Sequence, residues 1–268
     1  MSPTDSRLIF VDPSKVRKPD QLVEYERIFR DGVCPFCLDQ REKYTQGTRL
    51  YDGEHLWMFE NNWPYKNTRR HIMTVAREHA VYMEDLPDGF GNEWLKQLQS
   101  IERTDAYGLA AIEARFGFVM WTGASVAHFH THLLIPKDSS KDTLEDGHTL
   151  GVKLWAGESW AVHENLEPHD LARVHLLVVT KEDTGKLNDL PDGAGDELIE
   201  HFQRIETEYE FTHGGFHCRI KNKDHKGPES TKLVFDILAP EDSVYDDDKK
   251  KIRMKISNNP EVDFKIST

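Results

Sequence analysis

Along this chain the apolar residues arrive in two rhythms. Short runs of β-branched, aromatic and aliphatic residues predict strands at 56–60, 71–76, 118–121 and 128–135. Between them Trp94, Leu95, Leu98 and Ile101 recur at the spacing that lines one face of a helix, and predict one from about 91 to 116. The same succession follows further on, with strands at 160–164 and 175–180, a helix at 196–210, and strands at 216–221 and 232–238. A shorter helical pattern at 21–30 precedes both sets. Such a mixture predicts an α+β fold.

The two successions coincide without a gap at an offset of 104 residues, the separation of His71 and His175. Gly53-Glu54 falls on Gly157-Glu158, Glu60-Asn61 on Glu164-Asn165, and Arg69 and His71 on Arg173 and His175. Asp85-Leu86-Pro87-Asp88-Gly89 falls on Asp189-Leu190-Pro191-Asp192-Gly193, and Gln99, Ile101 and Glu102 fall on Gln203, Ile205 and Glu206. A five-residue identity in register with the others reads as an internal repeat. It divides the chain into an N-terminal extension (1–30), a first half (31–140), a second half (151–240) and a charged tail (241–268). In that tail Asp246-Asp247-Asp248-Lys249-Lys250-Lys251 reads as a solvated turn or end.

The residues that carry chemistry do not repeat. His128, His130 and His132 fall on Lys232, Val234 and Asp236, Cys34 and Cys37 on Asp138 and Lys141, and His79 on Asp183. Only the first half is armed, and the second is left to complete the fold or shape a pocket.

Composition narrows the partners. A hydrophobic content of 38% with 10% aromatic residues supplies a packed core, which excludes a disordered chain. The net charge of -13 opposes a long nucleic-acid partner, because such partners need clustered positive charge along a face. A small phosphorylated ligand is still compatible, its charge met locally by cations such as Lys66, Arg69, Arg70 or Arg77. No run approaches the roughly 20 apolar residues that span a bilayer, and the N-terminus lacks the pattern of a signal peptide. A cytoplasmic protein without a membrane partner is expected. Three cysteines cannot pair evenly, so in a reducing compartment Cys34-Pro35-Phe36-Cys37 reads as metal-binding, redox-active or simply two buried thiols. No βαβ pattern follows Cys37 to favour the redox reading.

On a strand, alternate side chains share a face about 6.5–7 Å apart, so His128, His130 and His132 can line one pocket. A single strand histidine is commonly just half-exposed or satisfied; three at alternate positions point to chemistry. The two cysteines with two histidines also make the ligand inventory of a closed tetrahedral zinc site.

The segment from Gly123-Ala124-Ser125 through His128-Phe129-His130-Thr131-His132 to Leu133-Leu134 resembles the signature of the histidine-triad superfamily, which includes the galactose-1-phosphate uridylyltransferase-like enzymes. Supporting elements stand in the order used there: Cys34 to Cys37, Phe59-Glu60-Asn61, Asn62-Trp63-Pro64-Tyr65, and His71 to His79. The resemblance covers about 34–136 directly. It implies two triad-like halves packed as an intramolecular pseudo-dimer around antiparallel sheet, so that the chain acts as a monomer. It implies that His130 attacks the α-phosphorus of a nucleotide, that His132 and Ser125 meet the leaving group, and that Asn61 meets the ribose. It places structural zinc on Cys34, Cys37, His79 and His128, with His71 as rival third ligand; His175, its counterpart in a half without cysteines, argues against that rival.

Two departures bear on activity. The asparagine-rich stretch that many members carry before the triad is missing, and His132 stands where the uridylyltransferase branch has glutamine. The second favours a nucleotide hydrolase or phosphorylase over transfer to a phosphorylated acceptor. A binding or regulatory module that takes nucleotide without turnover is the reading from another class.

Overall fold

Strand β1 (Arg49–Asp52) and strand β6 (Leu150–Ala156) form the two edges of one antiparallel sheet of ten strands. This computed structural model describes residues 10–105, 107, 109–117, 119, 124–137, 148–221, 232–240, 251–255 and 263–267. The first half supplies β1, β2 (Leu56–Glu60), β3 (Thr68–Ala76), β4 (Leu109–Gly117) and β5 (His130–Pro136). The second supplies β6, β7 (Trp160–Asn165), β8 (Ala172–Thr180), β9 (His213–Lys221) and β10 (Val234–Pro240). Their order is β1-β2-β3-β5-β4-β9-β10-β8-β7-β6, so the second half mirrors the first and the two meet where β4 pairs β9. At that seam Glu113 stands opposite His217, its own counterpart in the repeat. The fold is α+β, and the halves make an intramolecular pseudo-dimer.

Helices α1 (Pro19–Asp31) and α2 (Arg41–Tyr44) belong to the N-terminal part, while α3 (Phe90–Asp105) and α4 (Ala194–Glu208) lie together on one face of the sheet. Phe90, Trp94 and Leu98 of α3 bury against Ala110, Ile112 and Leu133, and Leu198, Phe202 and Ile205 of α4 against Phe216 and Phe235. Each such side chain removed from water contributes about 1.5–3 kcal/mol, which makes this face the main core. A second, smaller core on the opposite face joins Tyr25, Ile28, Cys34 and Phe36 to Trp57, Phe59, Met73 and Val75. None of the helices among the described residues is long and apolar enough to cross a membrane.

The repeated Asp-Leu-Pro-Asp-Gly segments start the two helices. Each ends on a glycine in the left-handed region, Gly89 at φ +86° and Gly193 at φ +91°, where a Cβ is unfavourable. The helix starts then cross backbone to backbone, and a Cβ on Gly91 would lie 2.2 Å from the carbonyl oxygen of Gly195. The Asn92 N–H donates to Asp196 Oδ1 at 2.8 Å and the Asp196 N–H to Asn92 Oδ1 at 3.2 Å, satisfying amides that a helix start leaves orphaned. Glu206 accepts from the N–H groups of Met83 and Glu84, as Glu102 does from those of Leu187 and Asn188.

Several expectations shift. The helix predicted to 116 ends at Asp105, and Leu109–Gly117 is strand β4. Its alanines favour a helix locally, but the segment is buried on both faces at the centre of the sheet, and packing overrides propensity. The triad strand begins at His130, so His128 precedes it. The edge strands β1 and β6 escape prediction because most of their residues are exposed and lack a buried alternate set. The tail contributes a hairpin of β11 (Lys251–Lys255) and β12 (Asp263–Ser267). Val119 excepted, the strand expected at 118–121 lies outside the described residues, as do Gly123 and Asp246 to Lys250.

Candidate functional site

Strand β5 sits between β3 and β4, and its register puts His130 opposite Val75 and Arg115, and His132 opposite Met73 and Glu113. Directly paired residues share a face, so these side chains form one patch on the side of the sheet away from α3 and α4. His130 is buried and His132 partly exposed.

His130 Nδ1 donates to the backbone carbonyl of His128 at 2.6 Å. A carbonyl only accepts, so Nδ1 carries the proton and Nε2 keeps its lone pair. Burial, the largest influence, pushes His130 down to about 4. The imidazole is therefore neutral at pH 7, and Phe36 stands edge-on to it with ring centres 5.3 Å apart.

The tautomer of His132 follows from its neighbours. The Tyr65 N–H donates to His71 Nδ1 at 3.2 Å, so neutral His71 holds its proton on Nε2. That Nε2 lies 2.7 Å from His132 Nδ1, which must accept, leaving His132 with an Nε2–H donor. The second half repeats the logic: the His169 N–H donates to His175 Nδ1 at 3.1 Å, and His175 Nε2 lies 2.9 Å from Asp236, the counterpart of His132. Burial holds both His71 and His132 well below the usual histidine range. Sequence reasoning weighed His71 as a metal ligand; the structure gives it to His132 instead.

Cys34, Cys37, His79 and His128 do come together, with one ligand atom from each lying within 4.8 Å of the others. His128 Nδ1 is 3.3 Å from Cys34 Sγ and 3.9 Å from Cys37 Sγ, and His79 Nδ1 is 3.5 Å from Cys37 Sγ. A zinc ion about 2.3 Å from sulfur and about 2.0 Å from nitrogen spaces its ligands by roughly 3.5 Å, so the donors fit. His128 Nε2 donates to the Ala76 carbonyl at 2.8 Å, which frees Nδ1 for a metal in the manner of an outer-shell hold. The Cys37 thiol is drawn down first by its hydrogen bond with Cys34 and then by His128 and His79, favouring the thiolate a metal needs.

Two other expected residues are engaged within the protein. Asn61 Oδ1 accepts from the Trp63 N–H at 2.8 Å, and its Nδ2 lies 3.2 Å from His71 Nε2; Asn165 and His175 repeat this contact. Ser125 Oγ donates to the Tyr25 hydroxyl at 3.3 Å. The cations Arg69, Arg70 and Arg77 are held in ion pairs with Asp105, Glu60 and Asp52.

Sequence reasoning does not single out Glu113, Arg115 or Arg17 as site residues, and Tyr65 stands there only within the element Asn62-Trp63-Pro64-Tyr65. Arg115 lies close enough to depress both His130 and His132, and the Arg17 guanidinium sits 3.8 Å over the Tyr65 ring. Tyr65 stacks on His132, ring centres 6.0 Å apart and planes within 19°. The available signal was two charged residues alternating with alanine and isoleucine in 111–115, a pattern hidden by the helical reading of that segment.

Neither a protein-family model nor a curated protein matches the sequence. Solved structures do. A uridylyltransferase aligns at TM-score 0.56 and 14% identity over 83% of this chain and 80% of its own. A galT-like protein from Arabidopsis thaliana aligns at 0.55 and 13%, over 78% of this chain and 82% of its own. An ADP-glucose phosphorylase with bound ADP-glucose, from the same plant, gives 0.52 and 13%, over 78% and 80%. With its mirrored sheet of ten strands, the chain has the fold of the uridylyltransferase and of the galT-like protein.

Proposed function

We propose that the chain is a nucleotide hydrolase or phosphorylase that acts at the α-phosphorus through a nucleotidyl-His130 intermediate. The observation that carries this reading is the 2.6 Å bond from His130 Nδ1 to the His128 carbonyl. It fixes the tautomer in which Nε2 is a neutral nucleophile, and it can stabilise the positive charge the ring acquires on attack. His132, with its Nε2–H fixed by His71, donates a hydrogen bond to the phosphate or leaving group as charge develops. Water or phosphate then displaces the nucleotidyl group. The bound ADP-glucose of one structural neighbour supports a nucleotide as ligand. Contacts of Asn61 with the ribose and of Ser125 with the leaving oxygen require each side chain to share or leave its partner.

Zinc held by Cys34, Cys37, His79 and His128 would fix the chain just before β5 and so hold the carbonyl that orients His130. Its chemistry there is structural, since four protein ligands leave no open position. The second half stands in for a partner subunit, so a monomer is the active species.

Incubation with α-labelled nucleotides, followed by acid and alkali treatment, tests the reading. Acid-labile, alkali-stable label on the parent protein is expected. Nucleotide binding without label or turnover would support a binding module in its place.

A further inference from the structure

The proton that a leaving group takes up has no source in the His71–His132 pair. His132 has one proton to give, on Nε2, and would need another from His71. His71 can pass its own, but its Nδ1 accepts from the Tyr65 amide, which has no proton to release. The pair is a fixed hydrogen-bond donor, closed to net proton transfer.

Glu113 stands next to it. Its carboxyl is fully buried, and neither oxygen closes a well-formed hydrogen bond. A buried carboxyl in that condition costs stability, so packing does not explain it. The groups facing it are His132 on β5, His217 on β9, Arg115 on its own strand, the Tyr65 phenol and Arg17. Burial raises Glu113 to about 7 against the pull of Arg115, Tyr65 and Arg17. Tyr65 is partly exposed, lies along His132, and has its hydroxyl close enough to the Glu113 carboxyl for each to shift the other's hold on its proton, without a well-formed hydrogen bond between them. Such catalytic bonds commonly close only when substrate binds.

Building on the His130 reading, we propose that Tyr65 is the acid that protonates the leaving group and that Glu113 behind it is the proton reservoir. In the first step His130 Nε2 bonds to the α-phosphorus and the P–O bond breaks, its electron pair going to the leaving oxygen. That oxygen takes the Tyr65 proton, and the Tyr65 oxygen takes the proton of Glu113. The positive charge gained by His130 is matched by the negative charge left on Glu113. In the second step water or phosphate attacks phosphorus and the P–N pair returns to His130. The proton of the attacking oxygen passes through Tyr65 back to Glu113. Full burial of Glu113 is then a requirement, because contact with solvent would drain the reservoir between steps.

The test compares two nucleotide substrates with the same nucleoside, a p-nitrophenyl ester that leaves without help and an alkyl ester that needs a proton. Glu113→Gln and Tyr65→Phe should each lower the alkyl-to-nitrophenyl rate ratio at least 30-fold, and Glu113→Gln should remove an activity limb near pH 7. Difference infrared spectra at pH 6 should show a protonated carboxyl in the parent that is missing in Glu113→Gln. Equal losses on both esters, a persisting limb, or an ionised Glu113 at pH 6 overturns the acid while leaving His130 in place. A parent that turns over neither ester overturns the His130 reading and the acid together.

Discussion

His71 Nε2 and His132 Nδ1 meet at 2.7 Å, and the backbone amide of Tyr65 decides which of the two donates. The orientation of a partly exposed histidine is thereby set by a buried one that no ligand needs to touch. His71→Ala should remove the donor, release His132 into a mixture of tautomers and lower turnover about tenfold. That corresponds to roughly 1.4 kcal/mol, the scale of one hydrogen bond. Nitrogen-15 spectra of the His132 ring check it, and an unchanged Nε2–H tautomer in the variant would defeat the argument.

His130→Ala should keep the fold and the metal content while abolishing the labelled intermediate, because water cannot reproduce the two-step path. Turnover within about tenfold of the parent, a barrier change of only roughly 1.4 kcal/mol, would falsify covalent catalysis at this residue.

Protein purified without added metal should carry one zinc per chain. Elemental analysis giving less than about a tenth of an equivalent rules the site out. Cys34→Ser should lose the metal and lower the melting temperature, and chelation should reproduce the loss in the parent.

The crossing of α3 and α4 leaves no room for a methyl group. Gly91→Ala, whose Cβ would lie 2.2 Å from the Gly195 carbonyl, should destabilise by about 1–3 kcal/mol through overpacking. Urea unfolding measures it. A neutral result would mean that the two helix starts can move apart at no cost.

Glu206 supplies part of the pH dependence of stability, Glu113 being raised over the same range. Burial, with Glu84 and Asp85 beside it, raises Glu206 from 4.5 to about 7. The folded chain therefore holds a proton that the unfolded chain has released between those values. The contribution is complete below pH 4.5 and is lost as pH climbs to about 7, amounting to on the order of 3 kcal/mol. Melting temperatures of the parent should fall across that window, and Glu206→Ala should make the fall shallower, leaving the part that Glu113 contributes. An equally steep fall in the variant would assign the effect elsewhere.

The two halves were legible because their turns and helix starts need particular residues: glycine at positive φ, and Glu102 and Glu206 reaching across to orphaned amides. Strand β2 was read to the residue, since its buried run is bounded by turns on both sides. That Cys34, Cys37, His79 and His128 would come together was implied by the resemblance to the histidine-triad signature, as was the middle place of His130. What stayed hidden depends on lateral pairing. Glu113 and Arg115 join the site through their register with β5, which no periodicity within 109–117 encodes. The pairing of His71 with His132 likewise crosses from β3 to β5.

The single sheet that runs through both halves has a genetic consequence. When two identical chains build a symmetric dimer, every substitution arrives twice, and neither site can change without the other. Here the seam between β4 and β9 lies within one polypeptide, so each side mutates alone. Asp236 can occupy the place of His132 and Val234 that of His130, while the armed side keeps its imidazoles. Asymmetry of this kind is available to a covalently joined pair and closed to a homodimer.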